Sequence, residues 1–179
     1  VQMLNFPVAS GTSGHLLGGV LAAVLVGPWA GTMCLAVVLL VQALFFADGG
    51  LSALGLNIVN MGLITVFCGY GIFLLLRRVL PRGRSSVVVA SGVAAGLGVV
   101  LASIGFTIEY AIGGNDAASV STVAAAMVGT HVLIGIGEGL ITALTVSAVL
   151  AVRPDLVHGA GSVLPALEVR APQHSLTGR

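Results

Sequence analysis

The sequence predicts an all-α protein, a polytopic transmembrane helical bundle of about five to six membrane segments. Three observations carry that prediction. Of 179 residues, 57% are hydrophobic and only 7% are charged, against roughly a quarter charged in a soluble domain. The apolar residues lie in runs near or beyond the roughly 20 needed to cross a bilayer. Glycine is abundant, 26 of 179, as suits close helix contacts in lipid.

Each element follows from its run and its breakers. Val1 to Val8 reads as the tail of a membrane helix, ended near Pro7. The polar linker Ala9 to Gly14 follows. His15 to Val26 is apolar but too short to span alone, and Gly27-Pro28 makes a tight turn. A short helix beside a Gly-rich linker is how transporters build sites from broken helices. Trp29 to Phe46 is a span with an interfacial Trp, and Asp48-Gly49-Gly50 is a turn. Leu51 to Val79 holds the next span, centred on Asn57 to Leu76. Ser85 to Ile112 is another, with Gly92 and Gly96 in small-xxx-small register. Gly113 to Ser119 turns the chain into the long run Val120 to Val152, which stops at Arg153-Pro154. The expected division is a transmembrane domain over residues 1–156 and a polar tail over 157–179, a loose end. The chain opens with Val1 in mid-pattern, which reads as a fragment lacking its start.

Charge sets orientation and excludes partners. The net charge of +1 argues against nucleic acid. All seven basic residues are Arg, so Schiff-base and Walker-type lysine chemistry are absent. The loop of Arg77, Arg78, Arg82 and Arg84 is expected in the cytoplasm with Arg153. Counting back, Gly27-Pro28 lies inside, and His15, Asp48 and Asp116 lie outside. Cys34 and Cys68 sit in apolar runs and read as small packing residues, not a disulfide.

Candidate polar sites are few. Ser10 to Gly19 (SGTSGHLLGG) sets one imidazole, His15, among small and hydroxyl residues at the mouth of an apolar chain. An ionisable residue in a membrane segment is a functional candidate; the bland alternative is a wet helix cap. A His nitrogen suits nickel, cobalt, copper or zinc, but one His cannot hold a metal alone. His131 and Glu138 lie seven apart on one helix face. They read as a polar relay or, preferably, as an internal hydrogen bond that fixes packing, with Gly129, Gly135, Gly137 and Gly139 permitting close contact. Glu109 is expected to face water near a helix end. Asn57, Asn60 and Gln42 read as packing amides, with a role around a ligand as the alternative. The Met residues make no stripe. Gly11-Thr12-Ser13-Gly14 also matches the Gly-x-Ser-Gly signature of rhomboid intramembrane proteases, with His131 as the base of a dyad. The rhomboid Trp-Arg loop motif is missing. A membrane scaffold subunit without a site is the other alternative.

Longer strings settle on one family. Asn5-Phe6-Pro7-Val8, Gly11 to Gly19, Gly27-Pro28-Trp29-Ala30-Gly31 and Val41 to Gly50 resemble the CbiM/NikM family. So do Leu54-Gly55, Asn57 to Gly62 and His131 to Thr142. These proteins are the substrate-specific membrane components of energy-coupling factor importers for cobalt and nickel. The resemblance covers about Val1 to Leu156. It implies a multi-pass plasma-membrane protein that is not an enzyme and holds no permanent cofactor. Ni²⁺ or Co²⁺ is then the transported substrate, captured from outside for cobalamin synthesis or nickel enzymes. The implied partners are a coupling membrane protein, a pair of cytoplasmic ATPases, a small accessory membrane subunit and membrane lipid. The family's metal site joins an amino-terminal Met-His pair to the histidine matching His15. Four nitrogens of this kind suit planar d⁸ Ni²⁺, and deprotonation of an amide makes binding weaken at low pH. The Met-His start is absent here, so His15 is the one family donor in this chain, with Thr12 and Ser13 shaping its loop. The polypeptide as it stands is expected to bind metal poorly.

Overall fold

The computed structural model describes residues 5–8, 13–46, 49–114 and 118–161. Four helices are long and apolar enough to cross a membrane: Pro28–Phe45, Gly50–Val79, Arg84–Gly113 and Val120–Val152. A fifth, α1 (Gly19–Val26), is short, as the apolar run ending at Gly27-Pro28 requires. Among the described residues the bundle therefore has four spans, slightly fewer than the five to six segments expected. The difference lies in α1 and in the chain before it.

That leading segment is not helical where it is described. Asn5–Pro7 forms strand β1, paired antiparallel with β2 (Ser13–His15), with Asn5 opposite His15 and Phe6 opposite Gly14. The expectation of a helix tail ending near Pro7 is thus corrected. Extended backbone in the two strands satisfies its polar groups by cross-strand pairing.

Helix α2 (Pro28–Phe45) begins with Pro28 at its first turn, where the missing N–H costs nothing. Its Trp29 is exposed at that end and meets Phe67 edge-on at 5.0 Å. The span Gly50–Val79 is one rod in three parts. Helix α3 (Gly50–Asn57) continues into a π-helical stretch, Ile58–Cys68, and then into α4 (Gly69–Val79). A π winding of this length is unusual; shorter π-bulges are frequent at functional sites. Helices α5 (Arg84–Gly113) and α6 (Val120–Val152) form an antiparallel pair, closed at its tip by the Tyr110 hydroxyl on both backbone groups of Ala118.

Glycine sets the α5–α6 distance. A β-carbon on Gly135 would lie 2.7 Å from the carbonyl oxygen of Gly96, and one on Gly139 would lie 2.7 Å from that of Gly92. Two backbones in such contact gain dispersion in lipid, where no hydrophobic force joins helices. The Gly92/Gly96 register expected from sequence is therefore met by a matching pair on α6. Gly129 and Gly137 face open space and take no part.

The two ends of the bundle differ. At one end Val24, Phe73, Val87, Val146 and Leu150 form a buried cluster. Two 3₁₀ turns, Pro154–Leu156 and His158–Ala160, fold onto it. Val157 and Ala160 are buried there, and the ring of His158 lies beside Gly27 and Tyr70. The start of the tail is docked, not loose. Arg153 closes α6 and pairs with Asp155 at 2.7 Å. The Gly27-Pro28 turn, the end of α4 and the end of α6 thus share one end, as the arginine count required. Cys34 and Cys68 are unpaired and exposed on the outer helix faces.

Candidate functional site

The loop bearing His15 enters the bundle instead of resting at its mouth. Gly14 is buried, and a β-carbon there would lie 2.9 Å from the His131 ring and 2.9 Å from Ile134. His131 is the twelfth residue of α6, about 16 Å below its start at 1.5 Å per residue. Gly14 is thus packed against α6, and His15 beside it is half-buried. The reason is glycine: with no side chain at Gly14, the strand lies directly on an imidazole.

Glu138 fixes the far end of this loop. The residue is 3% exposed. It accepts the Leu17 N–H at 2.6 Å and the Gly18 N–H at 2.9 Å. Gly18 is the residue before α1 and has φ 75°, a left-handed conformation that glycine adopts without strain. A helix start presents unpaired N–H groups, and a carboxylate is a strong acceptor for them. Glu138 therefore holds the His15 loop and the start of α1 against α6. This is a packing bond, the simpler of the two roles expected for it. Its partners are backbone groups 120 residues upstream, not His131.

Both histidines are oriented by backbone carbonyls. His15 Nδ1 lies 2.9 Å from the Leu16 oxygen, and His131 Nδ1 lies 2.7 Å from the Met127 oxygen. A carbonyl only accepts, so each Nδ1 carries a proton, which leaves Nε2 as the nitrogen that offers a lone pair in the neutral tautomer. That is the tautomer arrangement of metal-binding imidazoles. His131 is 5% exposed.

His15 and His131 line one cavity of about 110 Å³, with Asn57, Asn60, Met61 and Met127. The π stretch supplies Asn60 and Met61, and α6 supplies Met127 and His131. Asn60 donates from Nδ2 to Glu109 Oε2 at 2.6 Å. Glu109 is half-buried and bridges α5 to the π stretch, which corrects its expected place in water. The remaining Asn60 oxygen is buried with no partner among the described residues. Gly105 lies against that oxygen. Gln42 is buried on α2 and does not line this cavity.

Of the sequence candidates, the structure brings His15, His131, Asn57 and Asn60 together. Met61 and Met127 join them unannounced; Met127 shares a helix face with His131 four residues on. Ser10, Gly11, Thr12, Asp48 and Asp116 lie outside the described residues. Ser13 is described only in its backbone, as part of β2. Among the described residues no group of three or more His, Cys, Asp or Glu could hold a metal ion.

Comparison with known proteins gives consistent likenesses. A family model described as the cobalt uptake substrate-specific transmembrane region, CbiM, matches residues 1–156. A protein of Archaeoglobus fulgidus, provisionally named fused nickel transport protein NikMN, is 42% identical over 157 residues, covering 88% of this chain and 51% of that protein. The cobalt transport protein CbiM of Sorangium cellulosum is 37% identical over 163 residues, covering 88% of this chain and 70% of that protein. The chain thus spans about half the length of the first relative. The crystal structure of a transition metal transporter superposes with a TM-score of 0.75 at 34% identity, covering 84% of this chain and 70% of that one.

Proposed function

The chain belongs to the CbiM family of cobalt uptake substrate-specific transmembrane regions, and from that premise we propose that it captures Ni²⁺ or Co²⁺ outside the cell for ATP-driven import. His15 Nε2 is the metal ligand this chain contributes. The observation that carries this reading is His15 itself: Nδ1–H is tied to the Leu16 carbonyl, and the residue lines a cavity with His131, Asn57 and Asn60. The lone pair on Nε2 is thereby free for a metal, in a loop anchored through Glu138.

One imidazole is an incomplete site. The other donors come from beyond the described residues, which matches the family's use of an amino-terminal Met-His pair. Four nitrogen donors favour Ni²⁺ and Co²⁺ over the hard cations Mg²⁺ and Ca²⁺. Capture releases protons from the ligands, so affinity falls as pH drops.

The protein itself is not an enzyme on this reading. ATP hydrolysis belongs to a cytoplasmic ATPase pair, reached through a second membrane protein, with a small accessory membrane subunit. The arginine-bearing end of the bundle faces those ATPases. Residues 1–156 form the transmembrane unit, and 157–179 the tail.

The test is uptake of radioactive nickel and cobalt by cells expressing the protein from its native locus. His15→Ala abolishes uptake of the transported ion without loss of protein from the membrane. Uptake that survives His15→Ala contradicts the reading and favours a subunit without a site. Labelling by a serine-directed probe, lost in Ser13→Ala, would favour the protease instead.

A further inference from the structure

We propose that the seam between α5 and α6 holds an anionic phospholipid, with its phosphate at Arg84 and one acyl chain lying along the two helices. At the arginine-bearing end, a cleft of about 300 Å³ opens between the start of α5 and the end of α6. Arg84, Ser85 and Ser147 give it polar groups, and Val89 and Ala151 give it an apolar wall. Further along the same helices lies a second cleft of about 480 Å³, bordered by Val93, Leu97 and Val100 of α5 and by Val132, Ile136 and Leu140 of α6. Its lining holds no charged side chain and no hydroxyl. The α5 residues from Val89 to Val100 follow one another at the spacing of a single helix face, and so do the α6 residues from Val132 to Ala151. The two clefts are therefore parts of one seam.

Polarity changes along this seam in one direction, as it does along a phospholipid. From Val89 to Val100 the seam runs about 16 Å at 1.5 Å per residue, half of the roughly 30 Å hydrocarbon core and so the reach of one leaflet's acyl chain. Val89, Val93, Ile136 and Leu140 are exposed on the outer face, where lipid lies. Charge at the polar end is unmatched. Arg153 is paired with Asp155 at 2.7 Å, whereas Arg84 has no ion pair among the described residues. Arg77, at the same end, has a buried Nη1 without a partner among the described residues. Basic pockets between membrane helices on the cytoplasmic side receive lipid head groups, and a guanidinium fork matches phosphate oxygens. A merely solvated arginine needs no cleft beneath it. A helix of another protein would have to bring an anion to this one depth, where every anionic lipid already carries one.

Phosphatidylglycerol is the probe, with phosphatidylcholine of the same acyl chains as its neutral competitor. The protein, expressed from its native locus and purified in detergent, is incubated with an equal mixture of the two, and native mass spectrometry reads which lipid stays bound. The wild-type protein is expected to retain one phosphatidylglycerol with a preference of about fivefold or more, the worth of one arginine beside an anionic lipid. Arg84→Gln loses that preference. Arg82→Gln removes the same charge from the neighbouring loop, outside the cleft, and keeps it. Ala151→Phe leaves every charge in place, fills the apolar wall and lowers retention of the lipid. Millimolar inorganic phosphate, which has the head group's charge and no acyl chain, does not displace it.

A wild-type protein that shows no preference for phosphatidylglycerol overturns the proposal, whether or not any variant folds. Equal losses in Arg84→Gln and Arg82→Gln also overturn it, because they reveal diffuse surface charge in place of a site. Displacement by phosphate overturns the acyl-chain part and leaves a phosphate site. Ala151→Phe that keeps its lipid but loses a co-purifying membrane protein assigns the seam to a protein partner, against the proposal.

Discussion

Removing the Glu138 carboxyl group should release the metal-bearing loop while leaving the bundle assembled. Two backbone N–H groups, of Leu17 and Gly18, end on this one side chain at 2.6 and 2.9 Å. Hydrogen bonds to an ionised group contribute roughly 1.5–3 kcal/mol each. Glu138→Ala therefore costs about 3–6 kcal/mol, most of it local, because the α5–α6 glycine contacts do not involve the side chain. Glu138→Gln keeps one acceptor oxygen and turns an amide NH₂ toward the other backbone N–H, for a loss of about 1.5–3 kcal/mol. A shift of 3 kcal/mol corresponds to a factor of roughly 150 in the seated population, which bounds the rise in apparent Kd for nickel. Hydrogen exchange read by mass spectrometry, alongside nickel titration, is the assay. Exchange should accelerate in peptides covering residues 13–20 and stay slow in α5. Unchanged exchange there and an unchanged Kd in Glu138→Ala would refute the assignment of this side chain as the loop's anchor.

Two further outcomes test the packing around the site. Gly135→Val should destabilise the bundle by about 1–3 kcal/mol or more, because the added atoms meet the Gly96 backbone, which cannot yield without separating the helices. Gly137→Ala, which meets nothing within 4 Å, should be neutral or slightly stabilising; thermal melting in detergent separates the two. Asn60→Asp should place a second carboxylate against Glu109, now bonded to Asn60 at 2.6 Å, and lower Tm through like-charge repulsion. The double variant with Glu109→Gln should recover much of that loss; equal melting of single and double variants would show that the pair is not coupled.

The spans were legible because lipid is a demanding solvent. Runs such as Trp29 to Phe46 and Ser85 to Ile112 must be helical to satisfy their own backbone, and Gly27-Pro28 and the Arg77–Arg84 loop mark where they end. The Gly92/Gly96 register was legible for the same reason. The hairpin was not. Val1 to Val8 is apolar enough to pass for a helix tail, and nothing local in Asn5–Pro7 signals its pairing with Ser13–His15. The packing of Gly14 on His131 was hidden too, since polar and small residues suggest a surface loop.

The candidate site divides along the same line. His15, His131, Asn57 and Asn60 stand out because polar side chains are scarce in an apolar chain. What they touch could not be read. Glu138 binds backbone groups far upstream, and a side chain's contact with a distant N–H leaves no mark in residue identity. The π stretch from Ile58 to Cys68 likewise has no sequence period of its own. Met61 looked scattered because the cavity is assembled from a helix face, a π stretch and a strand.

The central claim is that the imidazole of His15 ligates the transported ion. X-ray absorption at the nickel edge, on the Ni²⁺-loaded protein expressed from its native locus, tests it most directly. The account predicts imidazole scattering from the nickel shell that diminishes by one ring in His15→Ala, with oxygen replacing nitrogen. Superimposable spectra from the wild-type protein and His15→Ala would contradict it.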